Sequence, residues 1–367
     1  MIALAIESSC DETSLAIVNC PLNIEDLSFY SSINSIEVLS SIISSQIELH
    51  ANFGGVVPEL GAREHAEQIH SLFQTVIKES QINLKDLTQI LVTTSPGLMS
   101  ALRVGLEFAR SLQYFLQKKY SHKVSIVNVN HLEGHVASCF FDPKSNFSFT
   151  DKDIFPHLHL LVSGGNTQLR LLNSWLDHEI IGHTLDDAAG EAFDKSGRMM
   201  GIKYPAGALV DKIAGLNSKN TLELPVSMLK SADCNFSFSG LKTAVRYKIQ
   251  KANIDDLILE KLLTTGEIEQ LLQLDVKNLN PKLVFIKNLC QSVQTVILKQ
   301  IENKLKLAIK LHSPASIGLS GGVSASIKLR QLISTLANSK PVFIPDRNLS
   351  GDNAIMIALA GLTSKID

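Results

Sequence analysis

Two histidines in the middle of the chain have the spacing of a metal-binding pair. His131 and His135 lie four residues apart, and on a helix this spacing places both imidazoles on one face, within reach of one ion. The preceding residues 124–130 have the pattern of a β-strand, so the helix would begin at the carboxyl end of a strand, where open α/β sheets place their sites. The alternative is two partly exposed helix histidines that bind no metal.

Two carboxylates near this pair have different expected roles. Glu133 lies two positions from each histidine and therefore faces away from them, unlike the glutamate base of an HExxH protease. Asp352 could supply a third metal ligand or cap the helix that follows it, and local sequence alone favours the cap.

Turns rich in small residues recur along the chain. A strand, a polar turn and a second strand occupy residues 2–18, and the same order returns in residues 159–172, where the turn contains Ser163, Gly164 and Gly165. Backbone N–H groups in such turns can approach a phosphate closely, although the same residue types dominate ordinary hairpin turns. The repetition predicts a duplicated lobe.

A third glycine turn and an acidic segment are further candidates for a binding site. Residues 317–323 read as a strand that ends in Gly321 and Gly322 and opens a helix over 324–336, which together would form a nucleotide cradle. In the acidic segment 184–195, Asp194 could accept hydrogen bonds from a hydroxyl, and in the following segment 201–207, Gly207 could allow close backbone approach. A solvated acidic helix face is the alternative.

Composition bounds the class of protein. The 367 residues are 45% hydrophobic with a net charge of −2, which indicates two lobes and no global positive field of the kind that marks nucleic-acid binders. The five cysteines contain no CxxC pair and fit a reducing compartment. The apolar start meets acidic residues, unlike a signal peptide, and no run approaches the roughly 20 apolar residues of a membrane span. We therefore expect a soluble, cytoplasmic α/β protein with no membrane contact.

Basic residues that RNA could contact are modest in number, and scattered surface charge is the alternative for all of them: Arg63, Arg103, Lys195, Arg198, Lys203, Lys242, Arg246 and Lys248.

Taken together, the ordered motifs at residues 5–13, 54–60, 130–135, 161–165, 186–195 and 236–243 resemble those of the TsaD/Kae/OSGEP family. The resemblance runs from Met1 to about Gly361. It implies a two-lobed actin/sugar-kinase/Hsp70-like (ASKHA) fold with duplicated RNase H-like domains. The expected lobes are residues 1–130, completed by a C-terminal helix at about 346–367, and residues 131–345, with an insertion at about 253–282.

The resemblance also implies the site. It places one divalent metal ion on His131, His135 and Asp352, for which iron(II) is the first expectation and zinc the alternative. It places a threonylcarbamoyl-AMP donor between the lobes. The residues implied in binding that donor are Leu161, Val162, Ser163, Gly164, Gly165, Asp194 and Gly207, with Asp211 and Ser326 as further candidates.

The activity implied is transfer of a threonylcarbamoyl group to N6 of adenosine 37 in tRNAs that read ANN codons, with release of AMP. Implied partners are tRNA, a paralogous subunit of the same fold and a small P-loop ATPase, and a homodimer is left open. The rival activities are a metallopeptidase and an actin-like ATPase. Four positions depart from the family pattern, Ser95, Asn166, Ala206 and Ser326, and put the nucleotide subsite rather than the metal ligands in question.

Overall fold

Ten strands form the centre of the chain in the computed structural model, which describes residues 1–21, 24, 27–145, 147–216, 222–252, 262–273 and 280–364. In chain order the strands are β1 Ile2–Glu7, β2 Glu12–Asn19, β3 Glu37–Ser45, β4 Leu87–Ser95, β5 Ser125–Asn130, β6 His157–Val162, β7 Thr167–Leu172, β8 His178–His183, β9 Ser316–Ser320 and β10 Val342–Phe343.

The helices of the described residues cover both faces of these strands. They are α1 Phe29–Asn34, α2 Ile47–Ala51, α3 Pro58–Ser80, α4 Met99–Tyr120, α5 His131–Ser138, α6 Asp151–Ile154, α7 Ala189–Met199, α8 Gly207–Gly215, α9 Ser239–Lys251, α10 Thr265–Leu271, α11 Pro281–His312, α12 Ile327–Ala337 and α13 Ala354–Thr363. No helix among these residues is both long and apolar enough to cross a membrane.

The strands form two five-stranded sheets with the same connectivity. The first has the order β3-β2-β1-β4-β5, and the second, read from its other edge, has the order β8-β7-β6-β9-β10. In each sheet the first three strands pair antiparallel, and the next two add in parallel beside the first. Each predicted hairpin is therefore the start of one RNase H-like sheet, which confirms the predicted duplication.

Side-chain size along β1 explains how the first sheet is covered. Leu4 and Ile6 face one core with α3 and α4, whereas the smaller Ala3 and Ala5 face a second core that contains α13. A Cβ at Gly361 would lie 2.9 Å from atoms of β4 and β5, so α13 approaches the sheet closely. A strand buried on both faces is largely apolar, as β1 is from Ile2 to Ile6.

The predicted elements are present in the structure, but several of their ends differ: the C-terminal helix expected at about 346–367 is α13, Ala354–Thr363. The helices expected over 60–80 and 102–118 are α3 and α4. The helix expected from residue 324 instead begins at Ile327, after a 3-10 turn over Gly322–Ala325, because Ser326 accepts the capping hydrogen bond from Leu329 N. Residues 253–261 and 274–279 of the expected insertion lie outside the described residues, as do 365–367.

Candidate metal centre and interlobe cleft

The histidine pair lies on the first turns of α5. The Asn130 side chain caps this helix by accepting from Leu132 N at 2.8 Å and Glu133 N at 3.3 Å, so the helix begins directly at the end of β5. His131 is then its first residue, His135 follows one turn later, and the ring centroids are 4.8 Å apart. The predicted single helical face is confirmed.

Asp352 faces both histidines. Its Oδ1 lies 3.1 Å from His135 Nε2 and 3.6 Å from His131 Nε2. The cap of α13 is Asn353, whose side chain accepts from Met356 N at 2.9 Å. The preference of local sequence for an Asp352 cap was therefore wrong, because the neighbouring asparagine does the capping and the aspartate is free to turn toward α5.

The donor set fits a metal ion. One ligand atom from each of His131, His135 and Asp352 lies within 4.8 Å of the others. In the described part of the chain neither ring nitrogen of the fully buried His135 has a hydrogen-bond partner, although Nε2 faces Asp352. Burying a polar nitrogen without a partner costs free energy, and a cation bound between Asp352 and His135 would give Nε2 a partner. Two imidazoles and one carboxylate are the protein ligands of many open catalytic sites.

A buried carboxylate orients the first histidine. Glu7, at the end of β1, places Oε2 at 3.1 Å from His131 Nδ1. Ser9 N and Thr93 Oγ1 donate to its two oxygens at 2.6 and 2.5 Å. Burial alone would raise the pKa of Glu7, but His131 holds it below its usual value. Such a carboxylate fixes the ring and its tautomer.

The charged groups of this centre stabilise one another in their ionised forms. Burial alone would lower the pKa of His131, but Asp352 and Glu7 raise it to about 9. Burial alone would raise the pKa of Asp352, but the two histidines lower it to about 2. Both carboxylates are therefore ionised at neutral pH, and a cation binding here would compete with the His131 proton.

A cleft of about 1380 Å³ opens above the metal centre. It is lined by His131 and Asp352 and by loops and helices that adjoin both sheets. Seven of the predicted donor-binding residues line it: Ser163, Gly164, Gly165, Asp194, Gly207, Asp211 and Ser326. The side chains of Leu161 and Val162 do not; both are fully buried in β6 behind the glycine turn.

The glycine turn after β6 presents backbone to the cleft. Ser163 N donates to Asn166 O at 2.8 Å, and Asn166 N donates to Ser163 Oγ at 3.1 Å. Cβ atoms placed on Gly164 and Gly165 would meet open space. Gly321, with φ +88°, brings the end of β9 against Val162, where any side chain would overlap the Val162 carbonyl. Two glycine segments therefore meet at one wall.

The remaining predicted residues form two small polar groups. Asp194 accepts from Gly207 N at 2.5 Å, and burial raises the pKa of its carboxyl above the usual value. Asp211 Oδ1 accepts from Gln294 at 2.7 Å and from Ser326 Oγ at 2.8 Å. The second group connects α8, α11 and the start of α12.

Comparison with known proteins agrees with the motifs. A profile for TsaD, described as tRNA N6-adenosine threonylcarbamoyltransferase, matches residues 37–359. The chain belongs to this family. A tRNA N6-adenosine threonylcarbamoyltransferase from Fervidobacterium nodosum is 36% identical over 362 residues, with 99% of this chain and 93% of that protein covered. The protein of the same name from Clostridioides difficile is 35% identical, with 98% and 92% covered.

The solved structures support the fold. Full-length HypF in its phosphate- and nucleotide-bound form matches 99% of this chain and 46% of its own, with a TM-score of 0.51 and 12% identity. At that identity the likeness concerns the fold alone. Together with the two equivalent sheets, it confirms the predicted ASKHA-type α/β class for this threonylcarbamoyltransferase family member.

Two residues of the site were missed by sequence reasoning. Glu7 orients His131, and the available signal was a carboxylate at the end of an otherwise apolar buried strand. Gln294 contacts Asp211 from the middle of α11, and nothing in its local sequence sets it apart. The division into lobes at residue 130 falls at the end of β5 and stays a prediction.

Proposed function

We propose that this chain transfers a threonylcarbamoyl group from threonylcarbamoyl-AMP to N6 of adenosine 37 in tRNAs that read ANN codons, releasing AMP. The observation that carries the proposal is the group of His131, His135 and Asp352 at the wall of an interlobe cleft, in a chain of this family. The positions of these three residues are explained without a peptidase base or a kinase aspartate. The carboxylate that contacts Nδ1 of His131 is Glu7 rather than Glu133.

The chain's own residues prepare the metal centre. A bound divalent ion, iron(II) or zinc, would supply Lewis acidity toward the donor's carbonyl or phosphate oxygens. Glu7 holds the His131 ring in place, and Asn353 takes the capping role that would otherwise compete for Asp352. The three ligands come from two helix starts, α5 and the approach to α13, which are packed together in one core.

The cleft has room for the donor together with the target adenosine. Its volume of about 1380 Å³ exceeds the roughly 300–1,000 Å³ of ordinary small-molecule sites. Adenine N6 is a poor nucleophile, so much of the rate acceleration would come from holding the amine beside the donor carbonyl. The Gly164 and Gly165 N–H groups would donate to the donor's phosphate or carbonyl oxygens, and Asp194 would accept from its hydroxyls.

We further propose the partners that the family resemblance implies. These are tRNA, a paralogous subunit of the same fold and a small P-loop ATPase, with a homodimer as the alternative and the cytoplasm as location. The net charge of −2 supports sharing of tRNA contacts among subunits, because one nearly neutral chain has little long-range attraction for phosphates.

Incubation of the purified chain with threonylcarbamoyl-AMP and unmodified tRNA tests the function directly. Partners are added stepwise, and digested tRNA is analysed by mass spectrometry for threonylcarbamoyl adenosine. We expect product with the wild type and almost none with His135→Ala. A complete mixture that releases AMP but never modifies tRNA would contradict the proposal.

A further inference from the structure

A second group of metal-ligand types lies outside the cleft, in the core between α5 and the second sheet. It consists of Cys139, directly after α5, and of His157 and His159 on one face of β6. Both histidines are fully buried and Cys139 is 4% exposed. One ligand atom from each lies within 4.8 Å of the others. The proposed transfer reaction makes no use of these side chains.

The nitrogen atoms converge on a space that a glycine keeps open. His157 Nε2 lies 3.3 Å from His159 Nδ1, and Cys139 Sγ lies 3.8 Å from the same Nδ1. Gly318, on neighbouring β9, faces both rings, and a Cβ there would overlap these two nitrogens. The two nitrogens thus face a point at which the chain carries no side chain, and Cys139 Sγ lies beside one of them.

Two of the three donor separations match trigonal coordination, and the third is at most 4.8 Å. Bonds of about 2.0 Å to imidazole nitrogen and about 2.3 Å to thiolate sulfur, separated by 120°, give roughly 3.5 Å between the nitrogens and roughly 3.7 Å between nitrogen and sulfur. The observed separations are 3.3 and 3.8 Å. A cation could therefore enter with only small movements of the side chains.

Hydrogen bonds already orient one ring for this role. Ser316 Oγ donates to Ile154 O at 2.6 Å, so it accepts from His157 Nδ1–H at 2.6 Å, which leaves the lone pair of His157 on Nε2. His159 Nε2 lies 2.7 Å from Ser320 Oγ. With the proton on Nε2, His159 donates to Ser320 and offers its Nδ1 lone pair to the same point.

The charges of the donors and of their neighbours indicate which cation fits the site. The three donors include no carboxylate, and the charged side chain that acts on His159 from β7 is the cationic Arg170. A divalent ion with one thiolate would leave a net positive charge in this core, which is costly. A monovalent ion with one thiolate is neutral. Structural zinc also takes four ligands, whereas the structure offers three.

We propose that Cys139, His157 and His159 form a second, buried site for a soft monovalent cation of the Cu⁺ type. Thiolate and imidazole are ligands that such a cation prefers. Binding transfers the thiol proton to solvent and forms bonds to one sulfur and two nitrogens, with no change of oxidation state. Because α5 carries His131 at its start and meets Cys139 at its end, the cation would tie the helix of the first site to β6. This inference does not rest on the proposed function.

Anaerobic titration with Cu⁺, against a chromophoric Cu⁺ chelator, tests the site. Cys10 lines the cleft, so all titrations use a Cys10→Ser background. The test variant adds Cys139→Ser, and the matched control adds Cys234→Ser, since Cys234 is also 4% exposed. We expect one tightly held Cu⁺ in the background and in the control, and a loss of affinity of at least about 100-fold with Cys139→Ser.

Copper X-ray absorption on the wild-type protein and on the Cys10→Ser background gives a check that does not depend on the folding of the Cys139 and Cys234 variants. The expected first shell is one sulfur and two nitrogens. Equal Cu⁺ binding by the Cys139 and Cys234 variants, or a first shell without sulfur, would overturn the proposal. Tight binding of Zn²⁺ instead of Cu⁺ at these residues would overturn the charge argument and with it the monovalent assignment.

Discussion

At the scale of single residues, the side chains of α5 divide by the direction in which they point. His131 and His135 face Asp352, whereas Glu133 acts on the buried Arg170 of β7, where it opposes the lowering of the Arg170 pKa by burial. The helix thus directs its imidazoles toward Asp352 and its carboxylate toward Arg170 of the second sheet.

A pair of α5 variants tests this division. We expect His135→Ala to lose the metal and to reduce transfer more than 100-fold, because removal of a direct ligand exceeds the roughly 10- to 100-fold effect of an outer contact. Glu133→Gln should keep the metal and most activity. Elemental analysis and the transfer assay measure both. Equal losses in the two variants would favour the peptidase alternative.

Ser326→Asn tests the nucleotide side of the cleft. Ser326 Oγ donates to Asp211 and accepts from Leu329 N. An asparagine can keep both hydrogen bonds, since it is a good helix N-cap, and it adds a second donor. One neutral hydrogen bond is worth about 0.5–1.5 kcal/mol, so AMP should bind at most about tenfold more tightly.

Calorimetry of AMP binding measures this change, and metal content serves as the control because it should stay constant. Identical affinities, with no protection of this segment from hydrogen exchange by AMP, would place Ser326 outside the nucleotide subsite.

At the scale of elements, α9 is fixed at its first turn to the loop that precedes α7. Asp186 accepts from Ser237 Oγ, Phe238 N, Ser239 N and Ser239 Oγ. Burial would raise the pKa of Asp186, but these donors hold it below the usual value. Nearby, Asp187 pairs with both Lys242 of α9 and Lys195 of α7.

The sign of the Asp186 shift gives a prediction in acid. A lowered folded-state pKa means that the stabilisation is full above the unfolded pKa of about 3.9 and is lost as pH falls through the folded value. At neutral pH we expect Asp186→Asn to lower the free energy of unfolding by about 1 kcal/mol. The decrease is small because the carboxylate is exposed. Denaturant titrations should show that the difference in unfolding free energy between the wild type and the variant disappears in acid. Glu179→Gln, on exposed β8, is the control and should show no such difference.

Helix α9 also predicts an interaction with tRNA. Its Arg246, Lys248 and Lys251 have no ion-pair partner within the described ranges, and Lys251 lies 4.5 Å above the ring of the exposed Tyr247. Replacing the three cations by alanine should raise the KM for tRNA. It should also lower the salt slope of tRNA binding by about 0.7–0.9 for each phosphate that the variant no longer neutralises.

The control carries the same charge change on α11, with Lys299, Lys306 and Lys310 replaced by alanine; of these, Lys306 forms an ion pair with Glu302 on the same helix. Binding measured over a series of salt concentrations separates the two sets. AMP binding should be unchanged in both, and equal salt slopes would remove α9 from the tRNA surface.

At the scale of the whole molecule, the metal centre joins segments that are distant in sequence. Its ligands come from α5 and from the approach to α13, which completes the cover of the first sheet. A ligand that binds only the folded state stabilises it by about 2.7 kcal/mol at a concentration of 100 times Kd.

Removal of the metal should therefore lower the Tm of the wild type by a few degrees, and re-addition should restore it. Scanning calorimetry with and without a chelator measures the shift. His135→Ala is the control, because it should show no effect of the chelator. A wild-type Tm that does not respond to chelation would contradict metal binding at this centre.

The sequence by itself determined what is periodic or closely spaced. The two hairpins, α3 and α4 follow from alternation and helical spacing, because those patterns arise from each element burying one face. The His131 and His135 pair follows from four-residue spacing on one helix. The glycine turn of residues 163–165 was visible for the same local reason.

Only the tertiary structure decided roles that local sequence leaves equal. Asp352 and Asn353 are both good helix caps by residue type. Asp352 faces two histidines because α5 lies beside the start of α13, and Asn353 caps the helix. Glu7 becomes a partner of His131 only because β4 places the end of β1 near the end of β5, from which α5 begins. Cys139 meets His157 and His159 only because α5 packs against β6 and Gly318 leaves space on β9. Such contacts depend on packing between distant segments, and short-range patterns contain no information about that packing.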